Sequence, residues 1–148
     1  MKEMNIMFFL TPKSEVAYTT TSDSMAKLMA LMDRSRFTAI PVLDEKGRYT
    51  GTITEGDLLR QICSFEDWKT RETDKIRVEQ IRRRRQMDPV RADADIEDLI
   101  QASMKQNFVP VTDDDGVFIG IITRKAIIEY CYQHSSIRSE DRKDEENY

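Results

Sequence analysis

Histidine occurs once in these 148 residues, at His134, and cysteine twice, at Cys63 and Cys131. So few and so scattered, they offer neither the ligand set of a zinc site nor a spaced disulfide framework. Both cysteines fall in apolar or aromatic stretches, where buried or half-buried thiols are expected. Long hydrophobic runs are missing too. The longest early one, residues 6–10, is far shorter than the roughly 20 residues that span a bilayer, and no small-residue cleavage site follows it. A cytoplasmic protein without membrane attachment is expected. Excess positive charge is absent as well: the net charge of -4 gives no general drive toward nucleic acid. No nucleophile stands beside a base and no suitably spaced acids emerge, so catalysis is not expected. Asp113, Asp114 and Asp115 lack calcium-loop spacing, and no metal or cofactor is expected.

What is present is a soluble globular balance, 39% hydrophobic and 34% charged, in a chain long enough for one compact module. Self-similarity organises it. The segment Phe37-Thr38-Ala39-Ile40-Pro41-Val42-Leu43-Asp44 is matched by Asn107-Phe108-Val109-Pro110-Val111-Thr112-Asp113. At one offset of 69 residues, Gly47 meets Gly116, Gly51 meets Gly120, Ile53 meets Ile122 and Thr54 meets Thr123. Helical stripes precede each segment: Met25, Leu28, Met29 and Met32 in the first, Ile96, Leu99, Ile100 and Met104 in the second. Each segment then reads as a strand, a glycine-centred turn, a second strand ending near Ile53 or Ile122, and a helix after Thr54 or Thr123. Short extended pieces, residues 16–19 and 90–92, come before the stripes. The unit is β-α-β-β-α, twice, in an α+β fold. The expected layout is a first repeat with its N-terminal segment (1–63), a polar linker (64–75), a second repeat (76–134) and a charged, disordered tail (135–148).

The sequence Gly51-Thr52-Ile53-Thr54-Glu55-Gly56-Asp57, preceded by Ala39-Ile40-Pro41-Val42, resembles the signature of the cystathionine β-synthase (CBS) domain. The resemblance covers about residues 5–134 and implies two repeats packed as a pseudo-twofold pair. Within that family the chain is similar to small stand-alone bacterial pairs, some of which bind cyclic di-AMP; Phe37 to Pro41 and Thr123-Arg124-Lys125 look like theirs. The implied function is a non-catalytic sensor of an adenine nucleotide: AMP, ADP, ATP or cyclic di-AMP. A homodimer formed by the amphipathic helices, and a protein partner that reads ligand occupancy, are further implications.

Thr54 lies where a strand ends and a helix begins, a place suited to a phosphate or ribose oxygen. Asp57, one turn on, can accept from both ribose hydroxyls, and the resemblance gives Thr54 and Asp57 those roles. The same four residues also read as a helix-capping box that needs no ligand. In the second repeat Ala126 replaces the aspartate, so the Thr123 cleft lacks a ribose clamp and unequal sites are expected, with the Asp57 cleft the better one. The adenine is expected against Val16, Ala17 and Tyr18 together with Phe37, Thr38 and Ala39. Lys13, Arg124 and Lys125 are the candidate phosphate partners. The run Arg82-Arg83-Arg84-Arg85 either borders the second cleft or is a solvated helix end or turn; without interleaved aromatics, a nucleic-acid platform is unsupported. Against the sensor stands a CBS module that has lost its ligand and serves structure or protein interaction, a reading that Ala126 favours.

Overall fold

The computed structural model describes residues 5–65, 71–84 and 87–134; the expected disordered tail and Arg85 lie outside them. Strands β1 (Thr11–Pro12) and β2 (Thr19–Thr20) precede helix α1 (Met25–Ser35), strands β3 (Ala39–Leu43) and β4 (Tyr49–Thr54) and helix α2 (Glu55–Cys63). The second half runs β5 (Val90–Arg91), α3 (Ile96–Lys105), β6 (Phe108–Thr112), β7 (Phe118–Thr123) and α4 (Arg124–Gln133). The β-α-β-β-α unit occurs twice.

The helices start at side-chain caps. Ser24, Thr54, Asp95 and Thr123 each accept a hydrogen bond from the amide three residues on, satisfying a donor that the first turn leaves without an intrahelical partner. The stripe on α1 is inside, with Met25, Leu28 and Met32 buried. On α3 Leu99 is buried but Met104 is 68% exposed, against the expected stripe. Five residues beyond Leu99 is about 140° round the helix, which turns Met104 outward. The hairpin turns match: Asp44 and Asp113 each accept from two turn amides with one carboxylate oxygen, and Gly47 and Gly116 take φ of 79° and 82°, the left-handed region that glycine enters without steric cost. Cys63 and Cys131 are both free and exposed rather than buried. Their apolar sequence neighbours lie on other sides of α2 and α4, so local composition misplaced them.

One sheet has the order β2-β3-β4 and the other β1-β7-β6-β5. In each, a two-residue parallel pair (β2 with β3, β5 with β6) follows from the crossover through α1 or α3, and the hairpin is antiparallel. The halves meet through paired hydrogen bonds, Tyr49 N to Gly116 O at 3.0 Å and Phe118 N to Gly47 O at 2.9 Å. Shifting either bond by 69 residues lands on the other half's equivalents, and the Tyr49 and Phe118 rings stack at 6.3 Å. A pseudo-twofold axis therefore runs between them.

The repeats also exchange their leading segments. Ile6 and Phe9 are buried in the core of the second sheet, with Leu99, Val109, Val111, Ile122 and Ile127. Strand β1 continues from them onto the edge of β7, Thr11 opposite Ile121 and Pro12 opposite Gly120. In return, Val78 and Ile81 are buried in the first core, with Ile76 packed against it. Backbone bonds Met25 N to Ile76 O (2.8 Å) and Val78 N to Asp23 O (2.9 Å) hold that segment to the first repeat. The N-terminal segment grouped with the first repeat by sequence thus completes the second. Of the expected linker, residues 71–74 form a 3-10 turn and Phe65 packs against the first core. No helix among the described residues is long and apolar enough to cross a membrane.

Candidate functional site

The exchange decides which residues meet. One cleft, of about 430 Å³, is lined by Thr38, Ala39, Thr54, Glu55, Gly56, Asp57 and Arg60 from the first repeat, with Arg84, Met87 and Asn107 from the second half. A second, of about 300 Å³, is lined by Thr11, Glu15, Val16, Ala17, Phe37, Ala39 and Pro41, with Asn107, Phe108, Ile121 and Thr123. Asp57 therefore does not share a cleft with Ala17 and Phe37, as the sequence reading had it. Segment 13–18 follows β1, which is paired to β7, so it borders the opposite repeat's helix start; Arg84 and Met87 do the same for α2.

At the first cleft the capping box is complete. Thr54 Oγ1 accepts from Asp57 N (3.2 Å) and Asp57 Oδ2 accepts from Thr54 N (3.0 Å). The other carboxylate oxygen accepts from Arg60 Nη2 (2.5 Å) and from the backbone N–H of Arg84 (3.2 Å). Asp57 is only 2% exposed. Burial pushes its carboxyl pKa up, but the amides of Thr54 and Arg84 and the Arg60 guanidinium together outweigh it and hold the group below the usual carboxylate range. Both oxygens of the expected ribose acceptor are thus engaged within the chain.

The second cleft is more apolar. The half-buried Val16 and Ala17, buried Pro41 and half-exposed Phe37 form its walls, and Thr123, whose hydroxyl caps α4 by accepting from Ala126 N (3.1 Å), stands at its edge. Arg124, expected on phosphate, is instead turned onto the end of α3. Its Nε donates to Ser103 O (2.6 Å), Nη2 to Met104 O (2.9 Å) and Nη1 to Asn107 Oδ1 (3.0 Å). These carbonyls are among those that a helix C-terminus leaves without partners. Lys125 projects into solvent, with Glu129 3.9 Å away. Lys13 Nζ lies 5.1 Å from the Tyr18 ring centroid, and neither residue lines the two clefts.

Among its described residues, the arginine run borders the Asp57 cleft through Arg84 rather than the second cleft. Its neighbour Arg83 enters a third hollow, of about 480 Å³, between β4 and residues 87–89. There Arg83 Nη1 is buried with no partner among the described residues, packed where Gly51 leaves room. The Tyr49 hydroxyl in the same hollow bonds Thr52 Oγ1 (2.7 Å) and Met87 O (2.8 Å), and burial pushes its pKa to about 12. Sequence reasoning missed Arg60, Arg84 and Asn107 as lining residues. Asn107 lies inside the quoted repeat and Arg84 inside the arginine run, so both were in view without an assigned partner.

A family model described as the CBS domain matches residues 9–64 and 78–133. Cyclic di-AMP receptor B of Bacillus subtilis (strain 168) is 25% identical over 137 residues, covering 89% of each chain. Among solved structures, a hypothetical conserved protein from Geobacillus kaustophilus has a TM-score of 0.79 at 24% identity, covering 90% of this chain and 99% of that one. CbpB in complex with c-di-AMP has a TM-score of 0.73 at 25% identity, covering 98% of this chain and 91% of that one.

Proposed function

Because this chain belongs to the CBS domain family and carries the domain twice, we propose that it is a cytoplasmic, non-catalytic sensor of an adenine nucleotide. The apolar cleft between the repeats carries this reading. Val16, Ala17, Phe37 and Pro41 offer a base the apolar walls and backbone edges that adenine needs, and Thr123 at the start of α4 stands at the same cleft. Cyclic di-AMP is the ligand we favour. The relatives named for it support this choice, and so does the way the two clefts adjoin at Ala39 and Asn107: a ligand with two adenosines can use both. AMP, ADP or ATP would need only one. Lys125 is the cation best placed for a phosphate at the start of α4, and Thr54 with Asp57 is the ribose subsite of the adjoining first cleft, which fills after the apolar one.

We further assign a homodimer to the outer faces of α2 and α4. Leu59 and Ile128 occupy the same position in the two repeats and are 61% and 65% exposed, a repeated apolar feature suited to a twofold partner.

Titrating the protein, freed of carried-over ligand, with AMP, ADP, ATP, cyclic di-AMP and S-adenosylmethionine tests the sensor. A nucleotide at 100 times its dissociation constant should raise stability by about 2.7 kcal/mol. Ala17→Val, which narrows the apolar cleft, should weaken binding at least tenfold. No response to any nucleotide would overturn the sensor reading in favour of a structural or protein-interaction module.

A further inference from the structure

Apart from Ala39, the residue that the two clefts have in common is Asn107, immediately before β6. Its backbone and side chain are both tied to Arg124. The Asn107 carbonyl accepts from Arg124 N at 3.1 Å, and Asn107 Oδ1 accepts from Arg124 Nη1 at 3.0 Å. A guanidinium has donors and no acceptor. The amide oxygen therefore faces Arg124, and the amide nitrogen is directed away from it. Arg124 is held in turn by Ser103 O and Met104 O, so the pair is anchored on the end of α3. No partner for Asn107 Nδ2 is found among the described residues.

From this geometry we propose that Asn107 is a specificity-determining residue, whose side-chain N–H groups donate to the ligand where the two clefts meet, and that Arg124 is the positioning residue that aims it. The proposal rests on the nucleotide reading above and deepens it. A fixed donor selects ligands that present an acceptor at the junction, a phosphate oxygen or an unprotonated ring nitrogen, and rejects those that present an N–H there. One donor serving two clefts also couples them. Occupancy of one cleft either uses the N–H groups or leaves them pointing at the other, and a difference of that kind is a coupling free energy between sites.

The test is calorimetric titration of the full chain with cyclic di-AMP and with AMP. Asn107→Asp keeps the size and the oxygen facing Arg124 but replaces the donor with an anionic acceptor; Asn107→Ser shortens the donor. Asn107→Asp should weaken both ligands at least tenfold and Asn107→Ser by less, each with a melting profile like that of the wild type. Arg124→Gln should weaken binding as well, but should add almost nothing in an Asn107→Ala background, because Arg124 acts through Asn107. Additive losses would show Arg124 to be merely structural and overturn the positioning role. Wild-type affinity in both Asn107→Asp and Asn107→Ala would overturn the proposal while leaving the sensor intact. A wild-type protein that binds no nucleotide would overturn both.

Discussion

Gly51 and Gly120 are equivalent in the repeat, with φ of 143° and 158°, yet what lies over them differs. A Cβ on Gly120 would collide with the backbone carbonyl of Thr11 in β1 and with the Leu10 side chain. On Gly51 it would meet the end of the Arg83 side chain, 2.6 Å from Nη1. Alanine at either position carries a backbone cost of about 1–3 kcal/mol, because L side chains rarely adopt such φ. That cost is common to both and cancels in the comparison. Arg83 can swing away at little expense, whereas β1 cannot yield without losing its pairing to β7. Overpacking that forces backbone to shift adds about 1–3 kcal/mol. Gly120→Ala is therefore expected to be less stable than Gly51→Ala by that margin. At about 3 °C per kcal/mol for a domain of this size, the gap is roughly 3–9 °C in melting temperature, with a matching gap in urea midpoints. Thr11 also lines the apolar cleft, so Gly120→Ala should lose nucleotide affinity along with stability. Equal melting temperatures, or a less stable Gly51→Ala, would refute the exchange of segments on which both clefts depend.

Asp57 gives a pH test. Its carboxyl is held below its ordinary pKa, so it binds fewer protons folded than unfolded. Its contribution is fully present above the unfolded value of about 3.9 and is lost as pH falls through the lower folded value. Asp57→Asn should cost about 1–3 kcal/mol at neutral pH and flatten the acid limb of stability measured by urea titration from pH 6 to 3; an unchanged limb would mean that the carboxylate is not so engaged. For the dimer, Leu59→Lys with Ile128→Lys should shift the sedimentation profile from dimer to monomer, and a monomeric wild type would remove that assignment.

The β-α-β-β-α units were legible because their signals are local: the Pro-Val strand, the Asp-to-Gly turn and the threonine cap each lie within a few residues and recur at one offset. The exchange was not. The apolar groups of residues 6–10 and 76–81 state that something must be buried and carry no address for the sheet that buries it. The second repeat's helical region is also shorter than the first's, so the leading segments fall out of the 69-residue register and their equivalence is hidden. The placement of Arg124 was hidden for a related reason. Its position at a helix start was visible, but not the bare carbonyls at the end of α3 that claim its guanidinium.

We infer that this rearrangement reverses the expected order of the two clefts. Sequence favoured the Asp57 cleft, because Ala126 leaves the other without a ribose clamp. In the folded chain the acceptors of Asp57 are occupied by Arg60, by Thr54 N and by Arg84 N, and hydrogen bonds to a charged group are worth about 1.5–3 kcal/mol each. A ribose entering there must displace such bonds before it forms its own, and it gains only the difference. At the Thr123 cleft Ala126 presents no carboxylate whose bonds must be displaced, and apolar burial at about 25 cal/mol per Å² acts directly. We infer that the apolar cleft fills first. The Asp57 cleft then fills only when a ligand already held at the Asn107 junction brings its second half into reach, so that displacing Arg60 and Arg84 N becomes an intramolecular step. A mononucleotide lacks that second half, which is the physical ground on which this fold would prefer a dinucleotide.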